Sequence, residues 1–112
     1  FSLFADKPTF VEFNDTTFVG VEGESLIVSL EAHGHPSEIS YTWTKNGTSL
    51  RRGPNYILEG STLNFTKLNR TDSGFYSCKA SNSEGEANIN FTINVQCEYK
   101  IVSHAVIELQ CL

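Results

Sequence analysis

Apolar and polar residues alternate along most of the chain between residues 8 and 96. Phe91, Ile93 and Val95, for example, are separated by Thr92 and Asn94. Successive side chains of a β-strand point to opposite faces, so this period of two predicts strands with one buried face. No segment shows a competing helical period. The pattern therefore predicts an all-β fold.

Turn-forming residues divide the pattern into separate strands. Asn46-Gly47 is a strong hairpin signal, because a tight primed turn needs positive φ, which both residues tolerate. The predicted strands are residues 8–13, their continuation 17–22 on the other sheet, 25–32, 39–43, 55–58, 61–68, a strand with Tyr76 and Cys78, and a last strand over 87–95. The predicted inward side chains are Leu26, Val28, Leu30, Ala32, Ile39, Tyr41, Trp43, Leu63, Phe65, Leu68, Ala87, Ile89, Phe91, Ile93 and Val95, whereas Asn88, Asn90, Thr92 and Asn94 face outward.

The segment from Asp72 to Cys78 has the pattern D-x-G-x-Y-x-C and leads from a turn into a buried strand. Tyr76 and Cys78 are two residues apart, so both point to one face. A tyrosine two residues before such a cysteine indicates a tyrosine corner, in which the phenol bonds to backbone a few residues upstream. Asp72 is expected to cap or salt-bridge this corner.

With Trp43 upstream and the sequence A-x-G-x-P at Ala32–Pro36, residues 8 to 96 resemble an immunoglobulin-superfamily domain of the intermediate type. The resemblance implies a Greek-key β-sandwich of two antiparallel sheets over residues 1–96. In this family, the tryptophan of the third strand packs in the core. The expected core residues are Leu30, Trp43, Leu63, Asp72, Tyr76 and Cys78.

The chain departs from the family in its cysteines. Leu30 stands where the family has the second-strand cysteine, so Cys78 lacks its usual disulfide partner. We expect a buried free thiol packed on Leu30 and Trp43, which acts as a small hydrophobe rather than as a catalytic group.

Residues 97–112 exceed what one such domain needs. Their alternation resembles the second strand of a following immunoglobulin domain, so the segment is interpreted as the truncated start of that domain. In that case Cys111 belongs with an absent partner. The other interpretation, a Cys97–Cys111 disulfide that closes a loop, is left open.

The composition of the chain disfavours some classes of partner. The 112 residues carry a formal net charge of −5, with a pI near 5.0, which disfavours nucleic acid or an anionic membrane as a partner. No apolar run approaches the roughly 20 residues that span a bilayer. Since the chain begins with Phe1, we interpret it as a processed or excised fragment whose membrane anchor, if any, lies elsewhere.

Five of the nine asparagines lie in N-x-S/T acceptor sequences, which is more than chance gives and favours a secretory route. These are Asn14, Asn46, Asn64, Asn69 and Asn90. Asn64 and Asn90 are expected to face outward on opposite sheets, and Asn46 and Asn69 to lie on turns at one end. The opposite end, with residues 33–37 and 82–85, would then be the least obstructed surface.

The sequence gives weaker evidence for other candidate sites. His33 and His35 could point to one side and contact a partner, but structural zinc takes about four ligands and nothing nearby supplies the rest. No nucleophile, base and orienting residue occur together, so the sequence indicates neither catalysis nor a cofactor. Phe75 is the one aromatic residue predicted on the outer face of its strand and is a candidate contact residue.

The chain resembles intermediate-type domains of nephrin-like and neural adhesion molecules, and this resemblance implies an extracellular module of a cell-surface adhesion or recognition receptor. Its expected partners are other proteins, often immunoglobulin-superfamily ectodomains, and neighbouring domains of its own chain. We expect a role as spacer or inter-domain joint more than as the distal ligand-binding domain. One alternative is a ligand-binding module of a growth-factor receptor kinase. The other is an intracellular structural module of a muscle scaffold protein. The missing cysteine favours this second alternative, and the acceptor sequences oppose it.

Overall fold

A computed structural model describes residues 5–11, 16–97, 99–102 and 105–108. Its strands are β1 (Asp6–Phe10), β2 (Thr17–Val21), β3 (Leu26–Ser29), β4 (Ala32–His35), β5 (Ser40–Lys45), β6 (Thr48–Ser49), β7 (Tyr56–Glu59), β8 (Thr62–Phe65), β9 (Gly74–Asn82), β10 (Gly85–Gln96), β11 (Tyr99–Val102) and β12 (Ala105–Glu108). One 3-10 turn, Arg70–Asp72, precedes β9. The all-β prediction is confirmed. Among the described residues, no helix has the length and apolar character needed to cross a membrane.

The sandwich consists of a five-stranded sheet, in the order β2-β10-β9-β5-β6, and an opposing layer formed by β3-β8-β7 and the pair β1-β4. Strands β1 and β2 therefore belong to different sheets, as the alternation predicted. Strand β2 runs parallel to β10, whereas every other described pairing is antiparallel. Strand β2 is thus a parallel edge strand on an otherwise antiparallel sheet.

The predicted strand 25–32 is divided into β3 and β4. Up to Ser29 the strand pairs with β8, and from Ala32 it pairs with β1. Between them, the amide of Leu30 donates to the carbonyl of Ser61 at 2.8 Å, and Glu31 accepts from the amide of Val11 at 2.9 Å. The interruption is therefore the point where the strand changes partner.

The core lies between the layers and consists of Val28, Leu30, Trp43, Leu63, Phe65, Leu68, Tyr76, Cys78, Phe91, Ile93 and Val95. Trp43 crosses Phe91 edge-on with ring centroids 6.0 Å apart, and its indole N–H donates to the carbonyl of Gly60 at 2.9 Å. The burial of this large aromatic side chain thus leaves no unpaired donor. Five side chains predicted inward are only half-buried, namely Leu26, Ile39, Tyr41, Ala87 and Ile89.

The hairpin signal at Asn46-Gly47 is confirmed. Strands β5 and β6 pair at Lys45 and Thr48, with two residues between them. Asn46 has φ +50° and Gly47 has φ +84°, as a primed turn requires. Only the two-residue strand β6 lies between β5 and β7 in the described chain.

Strands β11 and β12 form a two-stranded antiparallel sheet, with Tyr99 opposite Glu108. The assignment of residues 97–112 to the start of a following domain stays a prediction. Cys111, and with it the alternative Cys97–Cys111 disulfide, lies outside the described residues. Asn14 also lies outside them.

Candidate interaction surfaces

The corner before β9 is tied by side-chain hydrogen bonds. The hydroxyl of Tyr76 donates to the backbone carbonyl of Asp72. The Asp72 carboxylate, which is buried, accepts from the amide of Asn69 and from Nδ2 of Asn55, both at 2.8 Å. Asp72 thus caps the turn. Burial, with a smaller effect of the Asp72 charge, raises the pKa of Tyr76, so the phenol remains a donor at neutral pH.

Cys78 is a buried free thiol in the same cluster as Leu30 and Trp43. Burial raises the pKa of this thiol to about 12. At neutral pH the side chain is therefore uncharged, and a thiol in this state is a poor nucleophile. Its described environment gives Cys78 a packing role.

The outer surface of the five-stranded sheet, here termed the five-stranded face, presents mostly small, neutral polar side chains. These are Thr17, Thr42, Thr44, Ser77, Asn88, Asn90, Thr92 and Asn94, together with Val19, Phe75 and Lys79. The Lys79 ammonium is 3.6 Å from a carboxylate oxygen of Glu86. With few charges and many donors and acceptors, this face suits polar protein contacts better than binding of a charged ligand.

Phe75 is the most exposed large apolar residue of the described chain, with 73% of its surface accessible. Its amide donates to Oδ1 of Asn46 at 3.0 Å, and its carbonyl accepts from the Asn46 amide at 2.7 Å. The β5–β6 turn is thus fixed against β9. The aromatic ring is held at one end of the five-stranded face, beside Thr92 on β10.

His33 and His35 are both exposed on β4, with Gly34 between them. The His33 Nε2 atom is 3.3 Å from Oε1 of Glu31, and both side chains are largely in solvent. Within the described residues, no group of three or more histidine, cysteine or acidic side chains could hold a metal ion.

Asn82 belongs to the end of the sandwich that was predicted to be least obstructed, and its side chain organises this end. Its Nδ2 donates to the carbonyls of Asp6, at 2.9 Å, and of Pro36, at 3.2 Å. Its Oδ1 accepts from the amide of Glu84 at 2.9 Å. One side chain therefore joins the start of β1, the β4–β5 loop and the β9–β10 turn. The only signal in the sequence was an asparagine two residues before a turn position, which is typical of an Asx turn.

Gly34 allows this close packing. A Cβ atom at this position would lie 3.1 Å from the Asp6 carbonyl oxygen, the Pro8 Cα and the Asn82 Nδ2. Such contacts are tighter than normal, so a larger residue would require β1 or the Asn82 side chain to shift by a few tenths of an ångström.

The acceptor asparagines occupy different parts of the sandwich. Asn90 is exposed on β10, and Asn64 is half-buried at the centre of β8. Asn46 and Asn69 are exposed on turns at the same end, where the Lys45 ammonium donates to the Thr71 carbonyl. The surface around Asn82 lies at the other end.

The described chain enters the sandwich at one end and leaves it at the other. Asp6, at the start of β1, is opposite His35 and contacts Asn82. Gln96, at the end of β10, accepts from the amide of Glu22 at 2.7 Å. Since the Glu22 carboxylate is 3.4 Å from Arg70, this is the end that carries the turn before β9.

Comparison with known sequences places the described fold among related proteins. A family model described as an immunoglobulin domain matches residues 7–82. Cell adhesion molecule 2 of Homo sapiens is 35% identical over 74 residues, which make up 66% of this chain and 17% of that protein. Protein turtle homolog B of Mus musculus is 36% identical over 80 residues, or 71% of this chain and 6% of that protein. The chain thus spans a small part of these relatives.

Solved structures give the same result. The structure of Sidekick-1 immunoglobulin domains 1-4 superposes with a TM-score of 0.71 at 28% identity, covering 80% of this chain and 24% of that chain. A titin M10–obscurin-like 1 immunoglobulin complex gives a TM-score of 0.71 at 26% identity, covering 83% and 97%. Sequence and backbone therefore point to one family.

Proposed function

Because the chain belongs to the immunoglobulin domain family, we propose that it is an extracellular module of a cell-surface adhesion or recognition receptor. Its role is to hold neighbouring domains in a fixed geometry, and its partners are other proteins, including immunoglobulin-like domains. The similarity to human cell adhesion molecule 2 supports the adhesion role. The five acceptor sequences support the extracellular location. This family is not an enzyme family, and the proposal assigns no catalytic step.

The observation that carries the proposal is that the chain enters and leaves at opposite ends of the sandwich. A domain with this geometry adds its length to a linear array. The Asn82 hydrogen bonds hold the start of β1 against two loops, so a preceding domain would meet a fixed surface. Arrays of this kind reach high total affinity when several weak contacts act together in the correct geometry.

A domain exchange in the complete receptor tests this role. Cells displaying the wild-type receptor are compared, in an aggregation assay, with cells whose receptor carries an unrelated sandwich domain in place of residues 5–97. A spacer predicts that the exchange preserves aggregation, whereas deletion of the module weakens it. A Phe75→Ser receptor serves as a second comparison, because this change alters the five-stranded face without shortening the array. If the domain exchange or Phe75→Ser abolishes aggregation while the amount of receptor on the cell surface is unchanged, this module contacts the partner directly.

A second candidate is an intracellular structural module of a muscle scaffold. It is favoured by the unpaired Cys78 and by the likeness to the titin complex. Enzymatic removal of N-linked glycans from the natural protein separates the two candidates. An extracellular module loses mass on this treatment, and an unchanged mass together with cytosolic fractionation would favour the scaffold.

A further inference from the structure

On the outer surface of the β3-β8-β7 sheet, two apolar side chains flank an acceptor asparagine in one row across the strands. Asn64 on the central strand is directly opposite Ile27 on one side and Ile57 on the other. Both isoleucines are largely exposed, at 61% and 51%. The next row on this face, Ser29–Thr62–Glu59, is entirely polar. The exposed apolar residues of this sheet therefore flank its acceptor asparagine.

Directly opposed residues on neighbouring strands have Cβ atoms about 5 Å apart. An N-linked sugar on Asn64 would thus begin between the two isoleucines. Pyranose rings carry apolar C–H faces as well as hydroxyls, so the first sugars can lie on aliphatic side chains while their hydroxyls remain in water. The row offers such a sugar an apolar surface on both sides of its attachment point.

We propose that Asn64 carries an N-linked glycan that covers Ile27 and Ile57. This inference rests on the proposed extracellular function, since the modification requires the secretory route. The glycan closes the outer surface of this sheet to protein partners and removes an apolar row from solvent. Direct contacts with other domains are thereby directed away from this sheet.

The modification transfers an oligosaccharide from a lipid-linked diphosphate donor. Nδ2 of Asn64 attacks the anomeric carbon of the first sugar, so a C–N bond forms and the C–O bond to the phosphate breaks. The lipid diphosphate leaves with the electron pair, and one amide proton is released to a base. In the folded domain the Thr66 hydroxyl of this acceptor sequence donates to the Asn55 carbonyl at 3.2 Å.

Hydroxyl-radical footprinting of the complete secreted ectodomain, read by mass spectrometry, tests the proposal. Glycopeptide mapping first measures occupancy at each acceptor asparagine. Footprinting then compares wild type with Asn64→Gln and with Asn90→Gln as the matched control. We expect oxidation of Ile27 and Ile57 to rise several-fold only when the Asn64 glycan is absent, with Phe75 unchanged. If Asn64→Gln fails to fold, enzymatic trimming of the glycans on folded wild-type protein supplies the same comparison.

The outcomes separate the two proposals. A natural protein that carries no N-linked glycan and fractionates with the cytosol would overturn the extracellular function. Occupancy at other sites with Asn64 empty would overturn only the present inference. An occupied Asn64 whose removal leaves the oxidation of both isoleucines unchanged would show that the glycan extends into solvent and covers nothing.

Discussion

At the scale of single residues, Tyr76 links strand β9 to the turn before it. Its hydroxyl bonds the Asp72 carbonyl, and its ring stacks on Phe91 with centroids 5.3 Å apart. Tyr76→Phe keeps the ring and removes only the hydrogen bond. We expect the free energy of unfolding to fall by about 1–2 kcal/mol, because a buried carbonyl loses its partner.

Chemical denaturation of the wild type, of Tyr76→Phe and of a control variant measures this loss of stability. Tyr56→Phe is the matched control, since the Tyr56 ring also packs in the sandwich and its hydroxyl makes no hydrogen bond within the described part of the chain. The interpretation of Tyr76 as a corner residue fails if both substitutions have the same effect.

At the scale of elements, the Asn82 side chain connects β1, the β4–β5 loop and the β9–β10 turn. We expect Asn82→Ala to leave the core intact and to loosen these three segments, with a stability loss of about 1 kcal/mol. Hydrogen exchange at the Glu84 amide gives a local measurement, because this amide donates directly to the Asn82 side chain. The exposed Asn88 on β10 provides the control variant, Asn88→Ala. Unchanged exchange at Glu84 in Asn82→Ala would contradict the proposed connection.

At the scale of the whole molecule, the buried Cys78 thiol and Tyr76 phenol on β9 make the free energy of unfolding depend on pH in the alkaline range. Burial raises the pKa of Cys78 from 9.0 to about 12 and also raises that of Tyr76. The unfolded chain therefore loses these protons at a lower pH than the folded domain does. Their contribution is fully present below pH 9 and is lost progressively as the pH rises towards 12.

Between its unfolded and folded pKa values, each group lowers the free energy of unfolding by at most about 1.4 kcal/mol per pH unit. Denaturation curves collected from pH 8 to 10.5 should show falling stability in the wild type and a shallower fall in Cys78→Ala, which lacks the thiol. The alanine variant is less stable at every pH because of the cavity, so the slopes are compared rather than the absolute values. Equal slopes would mean that Cys78 does not titrate differently in the two states.

Local pattern in the sequence determined the strands, the primed turn at Asn46-Gly47, the buried positions around Trp43 and the identity of the family. This was possible because alternation and turn chemistry depend on neighbours along the chain. Tertiary structure alone decided where strand 25–32 changes partner, that β2 runs parallel to β10, and that Asn82 joins three segments. It also set Ile27 and Ile57 beside Asn64, since pairing register between distant strands cannot be read from any one of them.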